Sequence, residues 1–407
     1  MKICIQGLGY IGLPTAAVLA AQGYDVHGVD VRQEAVDIIN AGGIHIVEPD
    51  LDKAVHNAVS SGRFKAHTQP AKADVFIIAV PTPFVVENGT YSADMSYVRQ
   101  AAETLCDYLE PGNMVILEST SPIGATRRDV AEVIFAKRPD LQGQLRIAHC
   151  PERVLPGHVL RELVENDRVV GGIDATSTRE AAAFYRTFVA GKILETDANT
   201  AEMVKLTENS FRDLNIAFAN ELSTVCDRLN INVWELIRLA NHHPRVNILN
   251  PGPGVGGHCL AVDPWFIVAA APAEARLIRT AREVNDSKPR WVLEKIRQAA
   301  AASSNQTIGL LGLTYKADVD DLRESPSMAI AQALQKQVDS GEIKAQVVVC
   351  EPYLKAEKSP FDMASLDDTL ARADILVMLT DHKEFKAIPA EALAHKHVID
   401  TRGVFSG

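Results

Sequence analysis

Paired metal- or redox-type cysteines are what this sequence most plainly lacks. Its six cysteines, Cys4, Cys106, Cys150, Cys226, Cys259 and Cys350, are scattered. None forms a C-x-x-C pair, so neither a zinc knuckle nor a thioredoxin motif is present. There is no H-E-x-x-H, and His258 beside Cys259 has no ligand set, so no metal is expected. No apolar run reaches the length of a membrane-spanning helix. Lys and Arg number 41 against 52 Asp and Glu, a formal net charge of −11. That balance provides no global positive field for nucleic acid or an anionic membrane. An anionic ligand would need a local cluster of arginine and lysine. No low-complexity tail is evident, and MKICIQGLGYIG enters a strand and a glycine loop at once, so no signal peptide is expected. Free thiols in a reducing cytoplasm are the simplest expectation.

What is present is the composition of a globular protein, 47% hydrophobic and 23% charged. A chain of 407 residues exceeds one ordinary core, so two or three domains are expected. KICIQ (2–6), DVHGVD (25–30), DVFIIAV (74–80), MVILEST (114–120) and RIAHC (146–150) read as apolar strands with helical stretches between them. Continuous apolar strands alternating with helices imply a parallel, doubly wound sheet. From about Asn199 one long helix follows. Phe211, Leu214, Phe218, Leu222, Val225 and Leu229 form its apolar stripe, with Lys205, Asn209 and Arg212 on the opposite face. A long helix between two α/β units is a candidate subunit interface. Strands return at TIGLLGL (307–313), QVVVCEP (346–352), ADILVMLT (373–380) and HVIDTRG (397–403). The expected organisation is α/β: residues 1–198, a central helical region 199–302 and residues 303–407. The boundary is placed at the Ser/Asn segment 303–305.

The chemistry begins at Gly7-Leu8-Gly9-Tyr10-Ile11-Gly12. This G-x-G-x-x-G follows a strand, opens a helix and has Asp30 ending the next strand, the context of a Rossmann dinucleotide site. Gly7 permits the turn, Gly9 the approach of a pyrophosphate, and Gly12 the packing of helix on strand. The helix N-terminus favours the anion, and Asp30 favours NAD over NADP. A chance glycine cluster is the plain alternative. VPTP (80–83) and ESTSPIG (118–124) follow strand ends, where ligands bind in such sheets. Thr82 and Thr120 are thus placed for cofactor or substrate, although simple turn capping fits the same spacing. In CPERVLPG (150–157), Glu152 is a candidate general base; a surface ion pair is the plainer reading. Lys205, Asn209 and Arg212 read equally as a solvated helix face.

PGPGVGGHCLAVD (251–263) sets Cys259 after three glycines in four positions. Cys4, Cys150 and Cys350 lie in apolar strands and read as structural thiols. Cys259 follows loop, where glycines 254, 256 and 257 would permit close approach. A nearby cation such as Lys205 would help form the thiolate, and Asp263 could orient water or the lysine.

With GLGYIGLP, VPTP, STSPIG, PER, AEMVKLTENSFRD, PGPGVGGHC, GLTYKADVDDLRESP and DTRG all in order, the chain resembles the UDP-glucose/GDP-mannose dehydrogenase family over nearly its whole length. The resemblance implies two Rossmann-like domains joined by a long central helix, the first binding NAD and the last the UDP-sugar. It implies Gly7, Gly9, Tyr10, Ile11, Gly12, Asp30, Thr82, Thr120 and Arg323 at the cofactor. It implies Arg153, Val154, Lys205, Asn209, Arg212, His243, Arg245, Gly256, Tyr315, Lys316 and Arg402 at the UDP-sugar. It also implies Cys259 as nucleophile, with Lys205, Asn209, Glu152 and Asp263 in the chemistry, and a dimer-based homo-oligomer. Val262 stands where UDP-glucose dehydrogenases usually carry lysine, and GGHC with DPWF resembles the branch acting on N-acetylated sugars, most closely on UDP-N-acetyl-D-mannosamine.

The implied reaction is a four-electron oxidation of C6 to the carboxylate through a cysteine-bound thiohemiacetal and thioester. UDP-N-acetylglucosamine or UDP-glucose is an alternative substrate. A two-electron hydroxy-acid dehydrogenase with a structural Cys259, or a non-catalytic nucleotide-sugar-binding protein, would lack one or both oxidations.

Overall fold

The computed structural model describes residues 1–407 except 88–89, 156, 258, 303–305, 355–358, 360, 362 and 406–407. The segment 303–305, expected as a domain boundary, and His258 therefore lie outside the described residues. The chain divides into two compact units: Met1–Glu208 with Ala269–Pro272, and Asn209–Val268 with Ala273–Gly407.

The first unit is built on β1 (Lys2–Gln6), β2 (Asp25–Val29), β3 (Phe64–His67), β4 (Val75–Ile78), β7 (Met114–Leu117), β8 (Arg146–His149), β9 (Arg168–Gly172) and β10 (Ile193–Asp197). They form one sheet in the order β10-β9-β8-β7-β4-β1-β2-β3. Helices cover both faces, and this explains the unbroken apolar strands. Ile3 and Ile5 of β1 enter one buried cluster while Cys4 enters the other. Val75 and Ile77 of β4 likewise oppose Phe76 and Ile78. A separate antiparallel hairpin, β5 (Phe84–Glu87) and β6 (Thr90–Ala93), follows β4.

One junction departs from the expected all-parallel sheet: β8 and β9 pair antiparallel. The connection between them contains a single helix, Val159–Glu165, of 7 residues. Such a helix spans only about 10 Å, whereas parallel pairing needs a crossover that carries the chain back along the sheet.

In the second unit, β11 (Gln306–Leu311), β12 (Ala345–Cys350), β13 (Ile375–Met378) and β14 (His397–Asp400) form a parallel sheet in the order β12-β11-β13-β14. The helices Arg276–Ala300 and Pro326–Asp339 pack on one face, where Val292, Ile296, Ile330 and Leu334 meet Ile308, Leu310, Ile375 and Val377.

The helix Ala198–Leu229 has 32 residues, and the division between units falls within it. Its apolar stripe faces outward in the single chain: Phe211 is 71% exposed and Phe218 52%, and Val225 and Leu229 are exposed as well. Its buried face mixes small or apolar residues such as Leu206, Ala217 and Ala219 with a polar set. Asp213, Asn220 and Ser223 meet Arg282, Asn285 and Lys288 of the helix Arg276–Ala300 through hydrogen bonds and an ion pair. Among the described residues, no helix is long and apolar enough to cross a membrane.

Candidate active site

The candidate residues fall in both units. In the first, Gly7 has φ +91°, and its N–H donates to Val29 O at 2.8 Å. A Cβ on Gly12 would stand 1.8 Å from Gly7 O, so the helix Gly12–Ala21 starts against the strand end only with glycine there. A Cβ on Gly9 would meet nothing within 4 Å. The protein's own packing thus does not require Gly9, and the open space is the kind a pyrophosphate would occupy. Tyr10 is exposed and Ile11 half-buried beside it.

Asp30 lies just past β2, buried, and accepts from Leu8 N at 3.4 Å, Arg32 N at 3.0 Å and Arg32 Nε at 3.2 Å. Glycine turn and carboxylate are held together as a dinucleotide ribose requires. These residues fit NAD.

Thr82 and Thr120 are brought together: Thr82 Oγ1 donates to Thr120 O at 2.7 Å. The Thr82 hydroxyl therefore ties two strand-end loops rather than capping a helix. Glu202, absent from the sequence-based candidates, anchors the second loop from the long helix. Its carboxylate accepts Gly124 N at 2.5 Å, Thr126 N at 2.7 Å and Thr126 Oγ1 at 2.6 Å.

Glu152 is buried, not a surface residue. Its Oε2 accepts from Arg168 Nη1 at 2.8 Å and its Oε1 from Arg153 N at 2.6 Å. Arg153 Nη1 reaches Glu208 Oε1 at 2.6 Å on the long helix, where Lys205 lies half-buried one turn earlier; Val154 is also half-buried. Behind this loop Glu118 is fully enclosed. Burial, opposed by the Arg168 charge, pushes its carboxyl up to about 7, and Tyr185 Oη lies 2.6 Å from Glu118 Oε1.

In the second unit, Cys259 is the one exposed cysteine among six free ones. Burial pushes the Cys4 thiol up to about 11 and those of Cys150 and Cys350 to about 12. Cys259 O accepts Asp263 N at 2.8 Å and Val262 N at 3.0 Å, closing a turn that leads into the helix Asp263–Ala270. Asp263 is buried, and its Oδ2 accepts from Asn209 Nδ2 at 2.5 Å.

The room left by the loop glycines is taken up within this unit. A Cβ on Gly256 would lie 2.4 Å from Glu324 O and 2.8 Å from Tyr315 Cβ; one on Gly257 would lie 2.8 Å from the Tyr315 ring. Gly257 N donates to Arg323 O at 3.1 Å. A Cβ on Gly252 would lie 2.7 Å from Arg402 Nη1. The glycines therefore let the cysteine loop seat against Tyr315, Arg323 and Arg402, which gathers four of the candidates, Gly256 included.

Lys316 and Arg212 are exposed. His243 and Arg245 sit in an exposed turn of their own, with Arg245 N donating to His243 Nδ1 at 3.3 Å. Buried His382 and Glu351, which no motif flagged, hold the Tyr315–Lys316 loop. Glu351 Oε2 accepts Leu313 N at 2.7 Å, and His382 Nδ1 accepts Asp318 N at 2.9 Å. That leaves the imidazole proton on Nε2, 3.0 Å from Glu351 Oε2.

The family's three parts match the chain in order: its NAD binding domain at residues 1–189, its central domain at 199–287 and its UDP binding domain at 309–407. The chain belongs to the UDP-glucose/GDP-mannose dehydrogenase family. It is an NAD-dependent UDP-sugar dehydrogenase, an oxidoreductase. It is 54% identical to the NDP-N-acetyl-D-galactosaminuronic acid dehydrogenase of Ralstonia nicotianae, over 99% of this chain and 96% of the relative. It is 53% identical to the UDP-N-acetyl-D-mannosamine dehydrogenase of Salmonella typhi, over 99% of both. The solved UDP-N-acetyl-mannosamine dehydrogenase of Staphylococcus aureus superposes with a TM-score of 0.86 at 42% identity, covering 100% of this chain and 96% of that one.

Proposed function

We propose that the chain oxidises C6 of UDP-N-acetyl-D-mannosamine to give UDP-N-acetyl-D-mannosaminuronate, consuming two NAD and one water. The observation that carries the four-electron reading is the exposure of Cys259 alone, on a turn whose carbonyl is fixed by Asp263 N–H. NAD, held by Gly7, Gly9, Tyr10, Ile11, Gly12, Asp30, Thr82, Thr120 and Arg323, supplies the hydride acceptor for each oxidation.

The chain's own residues do the rest. Lys205 and Asn209 polarise the C6 oxygen. The Cys259 thiolate adds to the aldehyde carbon, giving a thiohemiacetal, which is the species that the second oxidation turns into a thioester. Water then attacks the acyl carbon, Glu152 or Asp263 takes a water proton, and the C–S bond breaks with its electrons returning to sulfur. Arg153, Val154, Arg212, His243, Arg245, Gly256, Tyr315, Lys316 and Arg402 bind the nucleotide sugar, and the arginines and lysines provide the local positive charge that an acidic protein needs for a diphosphate.

The outward apolar stripe of the long helix supports a dimer of this chain, and six free thiols support a cytoplasmic setting. A second substrate reading, an N-acetylgalactosamine nucleotide, is favoured by the name of the Ralstonia nicotianae relative. Comparing kcat/KM for UDP-N-acetylmannosamine, UDP-N-acetylgalactosamine, UDP-N-acetylglucosamine and UDP-glucose tests the assignment. A preference of at least about tenfold for the first is expected; a preference for any other overturns the sugar while leaving the chemistry in place.

A further inference from the structure

A buried arginine stands behind the carboxylate of the Pro-Glu-Arg loop. Glu152 is 7% exposed and Arg168 3%. Arg168 is the first residue of β9, where its N–H donates to Lys192 O at 2.8 Å, so its backbone is fixed in the sheet. From there Nη1 donates to Glu152 Oε2 at 2.8 Å and Nη2 to Leu163 O at 3.2 Å. The guanidinium carbon lies 5.7 Å from the centre of the Tyr185 ring, whose hydroxyl meets Glu118. The titratable groups around the guanidinium are Glu152, Cys150, Glu118 and Tyr185.

Burying such a pair is costly, and an apolar residue would serve the sheet as well or better. What the pair does secure is the state of one carboxylate. A carboxylate withdrawn from water without a counter-charge takes up a proton, and a protonated Glu152 could not accept one from water. The second anchor, Arg153 N on the other oxygen, fixes the direction of the group.

We propose that Arg168 is a positioning residue for Glu152: it keeps that carboxylate charged and aimed for proton transfer during thioester hydrolysis, with Tyr185 and Glu118 bracing the guanidinium from behind. The inference rests on the reading of Glu152 as the base. In the step concerned, the water oxygen bonds to the acyl carbon, a water proton moves to Glu152, the C–S bond breaks and the Cys259 thiolate leaves. Arg168 acts on this step only through Glu152.

The test uses the full-length enzyme and the variants R168M, R168K, E152Q and R168M/E152Q. Turnover is followed against pH, and intact mass reports acyl adduct on Cys259. R168M is expected to lose about 10²-fold in turnover, to shift the acid limb of its pH profile upward and to accumulate adduct. R168K should recover most of the loss. In the E152Q background, R168M should add less than about twofold, because both changes remove one function. An unshifted limb in R168M, or a full further loss in E152Q, overturns the proposal. Parental turnover in E152Q instead removes Glu152 as base, and the inference with it. Should R168M fail to melt cooperatively, R168Q, which keeps donors without charge, replaces it under the same two criteria.

Discussion

The Asn209 side-chain amide donates to Asp263 at 2.5 Å, while the Asp263 backbone N–H donates to the carbonyl of Cys259 at 2.8 Å. One residue thus ties the long helix to the turn that carries the exposed thiol. Asp263→Asn keeps the size and places two amides face to face, so the negative charge beside the Cys259 turn is lost with little change in shape. A fall in kcat of about 10²-fold is expected from the initial rate of NADH formation. Asn209→Ala removes one partner of a buried carboxylate and should lower stability by about 1–3 kcal/mol. Parental kcat in Asp263→Asn would take that carboxylate out of the chemistry.

Glu118 makes the first unit sensitive to pH in a defined direction. Its carboxyl is raised from 4.5 to about 7 by burial, against the pull of Arg168. Between those values the folded state holds a proton that the unfolded state has released, so stability falls as pH rises through the window, by roughly 3 kcal/mol in all. Glu118→Gln removes the titration and keeps an acceptor for Tyr185. Its melting temperature should therefore decline less between pH 5 and 7 than that of the parent; equal slopes would contradict this.

Lys288 has the opposite sign. It is buried with Nζ 2.5 Å from Ser223 Oγ and 3.5 Å from the centre of the Trp291 ring. Burial lowers the ammonium from 10.5 to about 7, with Asp227 opposing and Lys295 assisting. From 7 to 10.5 the unfolded chain binds the extra proton, so stability rises with pH there. Lys288→Met should flatten the rise in melting temperature between pH 7 and 9. An unchanged slope would show that the amine stays charged.

The exposed stripe predicts an assembly. Burying Phe211 and Phe218 against a second copy would each contribute about 1.5–3 kcal/mol. Phe211→Glu with Phe218→Glu should convert the proposed dimer to monomer by light scattering at micromolar concentration. A parental mass for the double variant would place the interface elsewhere.

Much of this was legible in the sequence, and the exceptions have physical causes. The central strands read directly because runs such as VFII (75–78) have both faces covered. β3 and β10 escaped notice because they are edge strands, and β10 is largely exposed and polar. β9 escaped because it is only Arg-Val-Val-Gly-Gly. Its Gly171 is needed because a Cβ there would lie 2.2 Å from Asp197 O, a long-range demand that no local pattern records. The period of the long helix was readable but not which face turns inward. That is decided by Arg282, Asn285 and Lys288, some 65 or more residues further along, which meet Asp213, Asn220 and Ser223. Motif reading names Glu152 and Asp263 as candidates but does not show that both are buried; it does not name Arg168, Glu202 or His382, whose only signal is the partner they meet in the fold.

The most direct test of the account is the end-point yield of NADH with limiting UDP-N-acetylmannosamine, measured for the parent and for Cys259→Ala. Two NADH per sugar from the parent, and no uronic acid from Cys259→Ala, is the predicted result. One NADH per sugar from the parent, or full acid production without the thiol, would contradict the thioester mechanism and return Cys259 to a structural role.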